Sequence, residues 1–177
     1  QQDVLRYVLT SNAPESKDSD FTWKDFQAKN NNELVASYGN FINRVFVLCH
    51  KFFDRKIPSK GHFKKEEDKI LYSIIDIRDK IENSIEKFKF REALTLLMDL
   101  SRIGNKYLTD TEPWKIIKED KERAETILYV SLQIVCNLAI LSSPFLPFTS
   151  NKIFKLLNVK KKIWDDIDKE ILKSGHK

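Results

Sequence analysis

Apolar residues recur every three or four positions along most of the chain, which is the spacing of amphipathic helices. The longest such stretch is "FTWKDFQAKNNNELVASYGNFINRVFVLCHKFF", between residues 21 and 53. Its apolar face is wide and contains Leu34, Tyr38, Phe41, Ile42, Val45, Phe46, Leu48, Cys49, Phe52 and Phe53. A face of this width predicts one long helix that packs against two neighbours. Pro58 and Gly61 are expected to end it.

The same spacing predicts further helices on both sides of this one. They cover "DVLRYVLTS", residues 65 to 88, "FREALTLLMDLSRIGNKYL", the short "PWKIIK", residues 121 to 141, and "TSNKIFKLLN". The 177 residues include only 4 Gly and 5 Pro, so turn residues are too sparse for a fold built from many strands. We therefore predict an all-α protein, an antiparallel helix bundle.

Charge and hydropathy indicate which partners this bundle can have and where in the cell it is located. The net charge of +5 permits a polyanionic partner without requiring one. The most apolar stretch, "ILYVSLQIVCNLAILSSPFLPF", is interrupted by Ser131, Gln133 and Asn137, which is typical of a core helix and not of a membrane span. The first residues, "QQDVLRYVL", lack the pattern of a signal peptide. These features predict a cytoplasmic location and no membrane partner.

Residues that could carry catalysis or bind a metal are scattered. Gly39, Gly61, Gly104 and Gly175 form no phosphate-binding loop, and His50, His62 and His176 lack metal-ligand spacing. Cys49 and Cys136 are predicted to be reduced core cysteines. The carboxylates of "KKEEDK" and "KEDKERAE" are predicted to lie on solvated faces. The chain alone therefore predicts no catalytic, cofactor-binding or metal-binding residue.

One tryptophan stands apart from the apolar pattern. Trp114 follows Pro113 in "TDTEPWKIIK", a stretch rich in charged residues. On this pattern alone, partly buried packing is its more ordinary role. Trp23, beside Phe21 and Phe26, and Trp164 are also predicted to be packing residues.

Two motifs resemble methionyl-tRNA synthetases: "DSDFTWKDF", followed by "NELV" and "GNFINR", and "NKYLTDTEPWK". The similarity extends from Asp3 to about Trp164. It implies the anticodon-binding fold of a class I synthetase, with residues 1–30 ending the stem-contact junction and residues 31–177 forming the α-helical anticodon-binding domain. The family's catalytic signatures, of HIGH and KMSKS type, do not occur in this sequence. The resemblance places ATP in a preceding catalytic domain, leaves open whether zinc is bound there, and implies that this segment is inactive alone.

The resemblance also assigns candidate site residues. Asn40 and Arg44 of "NFINR" match the pair with which the family reads the wobble cytosine, and Trp114 matches its base-stacking tryptophan. Asn105 and Tyr107 lie in the second motif and are expected to border this site. Residues four apart share one helical face, so Asn40 and Arg44 can act together. The implied partner is the CAU anticodon loop of tRNA(Met), and the implied reaction of the whole enzyme is ATP-dependent ligation of methionine to that tRNA.

A second reading remains open, in which the chain is a non-catalytic helical bundle that binds another protein or is purely structural. The two readings differ in where they place three side chains. RNA recognition requires Asn40, Arg44 and Trp114 to converge on an exposed surface. A protein-interaction bundle would leave them buried or scattered.

Overall fold

The computed structural model describes residues 2–15, 18–167 and 169–176. Within these ranges the regular structure is entirely helical, which confirms the predicted fold class. The α-helices, in chain order, are α1 Gln2–Ser11, α2 Trp23–Lys29, α3 Asn40–Phe53, α4 Lys65–Glu86, α5 Phe90–Thr111, α6 Pro113–Ile116, α7 Lys121–Leu141 and α8 Pro147–Leu156. A π-helix, Asn30–Gly39, joins α2 to α3, and a 3₁₀ turn spans Trp164–Asp166. The ends of the predicted domain ranges, residues 1 and 177, lie outside the described residues.

Helix α7 is the centre of the bundle. It contacts α3, α4, α5, α6 and α8, and nearly all of its residues are buried. By length and a mean hydropathy of 1.7 it could cross a bilayer, but 94% of that apolar window is buried inside the protein. The structure thus confirms α7 as a core helix. Cys136 on α7 and Cys49 on α3 are free and buried, and burial raises the pKa of both thiols to about 12.

The predicted long helix between residues 21 and 53 is present but changes its winding in the middle. Thr22 caps α2 by accepting a hydrogen bond from the Asp25 N–H, and the chain stays helical from there to Phe53. In the π-helix the turns are wider than in an α-helix. At its end, a Cβ on Gly39 would lie 2.9 Å from the carbonyl oxygen of Leu34. Glycine therefore permits the wide turn that delivers Asn40, the first residue of α3.

A second glycine sets the distance between α3 and α5. Gly104 of α5 is buried against the ring of Phe41 on α3, and a Cβ there would lie 2.5 Å from the ring's Cζ atom. A side chain larger than hydrogen therefore fits only if the Phe41 ring or one of the two helices moves. The close contact brings the polar edges of α3 and α5 within hydrogen-bonding reach of each other.

We expect Gly104→Ala to lower the free energy of unfolding by about 1–3 kcal/mol, the usual range for overpacking a core. Urea unfolding measures this loss. In a Phe41→Leu background the added methyl group meets a smaller side chain, so the same substitution should cost less. An equal cost in both backgrounds would contradict the proposed contact.

One sequence-based expectation about exposure is wrong. Glu67 of "KKEEDK" is not solvated but completely buried. Tyr107 and Arg123 donate hydrogen bonds to its carboxylate at 2.6 and 2.7 Å, which replace the lost contacts with water. Trp23 contacts Phe21 and Phe26, which confirms the predicted packing, and it does so at the surface, since it is 76% exposed. Trp164 does pack against the core.

Candidate nucleic-acid interface

The surface between α3 and α5 brings three polar side chains together. The Oδ1 atom of Asn105 accepts hydrogen bonds from Asn40 Nδ2 at 3.1 Å and from Arg44 Nη1 at 3.2 Å. Asn40 is exposed and Arg44 is partly exposed. The motif "NFINR" and the motif around Asn105 are thus adjacent in space although they are more than 60 residues apart in the sequence.

Asn105 is itself held in a fixed orientation. Its Nδ2 group donates to the backbone carbonyl of Ser37 at 2.9 Å and to that of Ser101 at 3.1 Å. The hydroxyl groups of the same two serines lie 2.8 Å apart. With both amide protons used, the Asn105 oxygen can only face Asn40 and Arg44. The sequence suggested a bordering role for Asn105, whereas the structure makes it the connection between the two helices.

Trp114 reaches the same surface from α6. The left-handed conformation of Glu112, with φ of 41°, ends α5 and turns the chain into α6, where the buried Pro113 occupies the first turn. Proline suits this position because the first helical N–H has no partner within the helix. The guanidinium carbon of Arg44 lies 5.6 Å from the centre of the Trp114 ring, a cation–π contact. Trp114 is partly exposed.

Tyr107 does not belong to this surface, contrary to the expectation that it borders the site. It is 2% exposed, and its hydroxyl group donates to Glu67 in the core. Tyr107 and Asn105 are two positions apart on α5, so their side chains point about 200° apart around the helix. Position in the motif is therefore a poor guide to position at the site.

The charges around the tryptophan are largely paired. Lys106 and Asp110 form an ion pair at 2.7 Å, and so do Lys115 and Glu112. Among the described residues no carboxylate lies within ion-pair distance of Arg44, whose neighbours are Asn105 and Trp114. An unpaired guanidinium beside an aromatic ring and an amide is suited to a phosphate group or to the edge of a base.

Over the residues that the structure describes, no group of three His, Cys, Asp or Glu side chains is arranged to hold a metal ion. Further along α3, the amino group of Lys51 lies 5.3 Å from the centre of the Phe52 ring. The interface therefore consists of amide, guanidinium and indole groups.

Comparison with family models gives the class of protein first. Residues 1–46 match the model of class I tRNA synthetases (M). The first part of the chain, which includes Asn40 and Arg44 of the polar surface, is therefore similar to class I aminoacyl-tRNA synthetases. Residues 57–177, more than half of the chain, match the model of the anticodon binding domain of methionyl tRNA ligase. The chain therefore belongs to the methionyl-tRNA ligase family.

Individual relatives agree with this assignment. The chain is 56% identical over 176 residues to the methionine–tRNA ligase of Cytophaga hutchinsonii and 55% identical over 177 residues to that of Phocaeicola vulgatus. Each comparison includes 99% of this chain and 26% of the relative. The chain thus spans about a quarter of the length of these relatives.

A solved structure confirms the fold. The apo form of Mycobacterium tuberculosis methionyl-tRNA synthetase superposes with a TM-score of 0.91 over 98% of this chain and 36% of that chain. The sequence identity in this superposition is 23%, so the helix arrangement is kept where most side chains differ.

Proposed function

We propose that this domain recognises the CAU anticodon of tRNA(Met), with Asn40 and Arg44 reading the wobble cytosine and Trp114 stacking on an anticodon base. The observation that carries the proposal is the convergence of the three side chains at one surface, from two distant parts of the sequence. Membership of the methionyl-tRNA ligase family supports the choice of tRNA.

The chemistry of the three groups suits an unpaired cytosine. Proteins read bases in RNA loops by hydrogen bonds to their edges and by stacking aromatic rings on their faces. Asn40 offers an amide with both donor and acceptor atoms, and Arg44 offers several donors in one plane. Because Asn105 already orients both side chains, little conformational entropy is lost when a base arrives.

The bond-forming chemistry is assigned to the rest of the enzyme. We propose that ATP-dependent attachment of methionine to tRNA takes place in a catalytic domain that precedes this segment. Any zinc ion of the enzyme would be bound in that domain too. The relatives are methionine–tRNA ligases about four times the length of the matched region. In this division of labour the helical domain selects the tRNA and the catalytic domain is its second partner.

The alternative of a protein-interaction or structural bundle predicted buried or scattered side chains. Asn40 is exposed, Arg44 and Trp114 are partly exposed, and the three lie together. This placement favours RNA recognition.

The test is a titration of the 177-residue chain with anticodon stem-loops that carry CAU or UAU. We expect the wild type to prefer CAU and to bind more weakly as salt rises, because phosphate contacts release counterions. Asn40→Ala and Arg44→Ala should each weaken CAU binding and reduce the preference for cytosine. Fluorescence anisotropy at two salt concentrations measures both effects.

Matched controls lie elsewhere on the same bundle. Asn43 is an exposed asparagine of α3 that lines a different cavity, together with Phe46 and His50, and Arg78 on α4 is paired with Asp79 at 2.7 Å. Asn43→Ala and Arg78→Ala should leave both the affinity and the preference unchanged. Equal losses in the control variants, or a wild type that binds CAU and UAU alike, would refute the proposed reading of cytosine.

A further inference from the structure

A separate cavity opens on the side of the bundle formed by α4, α7 and the C-terminal segment. Its volume is about 320 Å³, which is at the small end of the range for ligand pockets. Much of the wall is apolar or aromatic and includes Phe63, Ile75, Tyr129 and Ile167. None of the residues proposed to bind the anticodon lines it.

One polar atom in this wall lacks a partner among the residues that the structure describes. Asn137 lines the cavity and is 3% exposed, and its Oδ1 atom makes no hydrogen bond with any described residue. Its Nδ2 group donates to the backbone carbonyl of Gln133 at 2.8 Å, so the side-chain orientation is fixed. An unpaired buried acceptor is costly and is usually satisfied by a donor from a ligand or from water.

Several other polar groups of the cavity are paired. The Nε2 group of Gln133 donates to the backbone carbonyl of Leu172 at 2.9 Å, and Tyr129 donates to the Glu170 carboxylate. Lys60 forms an ion pair with Glu170 at 3.6 Å. Asn137 Oδ1 is therefore the buried side-chain atom of this wall that lacks a donor among the described residues, whereas Asp68 and Tyr72, which also line the cavity, are exposed to water. Because the buried part of the wall is apolar apart from a neutral amide, it favours an uncharged ligand.

We propose that this cavity binds a small uncharged aromatic molecule that carries one N–H or O–H donor. The ring of the ligand packs against Phe63, Ile75 and Ile167, and its donor bonds to Asn137 Oδ1. This site is independent of anticodon recognition.

Indole and indene form a suitable pair of probes, because they have nearly the same shape and only indole carries an N–H donor. Protein-observed NMR of the 177-residue chain would follow the side-chain amide of Asn137 and the backbone amides around the cavity. We expect the NMR signals of the Asn137 side chain and of the cavity backbone to shift when indole is added. Indene should bind about 2–10-fold more weakly than indole, which is the difference in affinity that one hydrogen bond provides.

Two variants separate the roles of the acceptor and of the apolar wall. Asn137→Leu removes the acceptor without leaving a buried polar group, so it should fold and should bind indole and indene equally. Ile75→Trp fills the cavity from a partly exposed position and should bind neither probe. Equal affinities in the wild type would overturn the role of Asn137. Absence of any shift at the cavity with indole would mean that it holds only water, and would overturn the proposal.

Discussion

Replacement of Glu67 by alanine is expected to lower the free energy of unfolding by about 3–5 kcal/mol, the range for breaking a buried ion pair from one side. The Glu67 side chain is 0% exposed and that of Arg123 is 12% exposed. Without the carboxylate, the Arg123 guanidinium loses its ion-pair partner, and its Nη1 atom already has none within the described residues. Urea unfolding at neutral pH gives the difference.

The neighbouring residue supplies the control. Glu66 is also on the first turn of α4 but is exposed, so Glu66→Ala should change stability by at most about 0.5 kcal/mol. Similar losses for the two alanine variants would show that the buried pair is not a major source of stability.

The Glu67 carboxylate should also make the free energy of unfolding depend on pH. Burial raises the pKa of Glu67, but hydrogen bonds from Arg123, Tyr107 and the Lys64 N–H outweigh it and bring the pKa below its ordinary value of 4.5. The unfolded state therefore binds a proton at a higher pH than the folded state does, and acid favours unfolding. The stability advantage of the wild type over Glu67→Gln should be full at neutral pH and should shrink as the pH falls below about 4.5. An advantage that is constant down to strongly acidic pH would contradict this.

Trp114→Ala is expected to weaken binding of the CAU stem-loop by about 1–3 kcal/mol, or roughly 5–150-fold, the contribution of one base stacked on one aromatic ring. The loss should be similar for CAU and UAU loops, because stacking depends little on base identity. Folding should lose less than the roughly 3–5 kcal/mol expected for a fully buried aromatic residue, since Trp114 is partly exposed. Binding titrations and thermal melts on the same variant measure the two effects.

Trp23 offers a matched control because it is likewise an indole at the start of a helix and is more exposed than Trp114. Trp23→Ala should leave binding of the stem-loop unchanged. If Trp114→Ala unfolds the domain while the remaining folded protein binds RNA normally, Trp114 is a packing residue and its assignment to the RNA surface is wrong.

The helices could be predicted closely from the sequence because their causes are local. The predicted helix over residues 121 to 141 has the observed bounds of α7, and the isoleucine spacing of α4 corresponds to the buried face formed by Ile70, Ile74, Ile77 and Ile81. Amphipathic spacing reports burial on one face, and this information is carried by each segment separately. The π-helix was not predicted, since its apolar residues Leu34 and Tyr38 are four positions apart in the sequence, which is the spacing of an ordinary α-helix.

The candidate site was predictable as a set of residues but not as an arrangement. The resemblance named Asn40, Arg44 and Trp114, and it gave Asn105 and Tyr107 the same bordering role. In the structure Asn105 joins α3 to α5, whereas Tyr107 lies in the core. A motif gives neighbours along the chain, but the direction of each side chain depends on the rotation of α5 against its partners.

Local pattern by itself determined that this chain folds as a helical bundle with α7 at its centre, because hydrophobic periodicity requires only that an apolar face be buried somewhere. Tertiary structure alone decided which polar groups are buried or paired. Glu67 lies in a charged run yet is fully buried, since Arg123 and Tyr107 arrive from other helices to satisfy it. Asn105 acquires its role in the same way, because Gly104 lets α3 approach closely enough for Asn40 and Arg44 to reach its oxygen. Pairing between polar groups depends on distances between helices, and those distances are set by packing across the whole core.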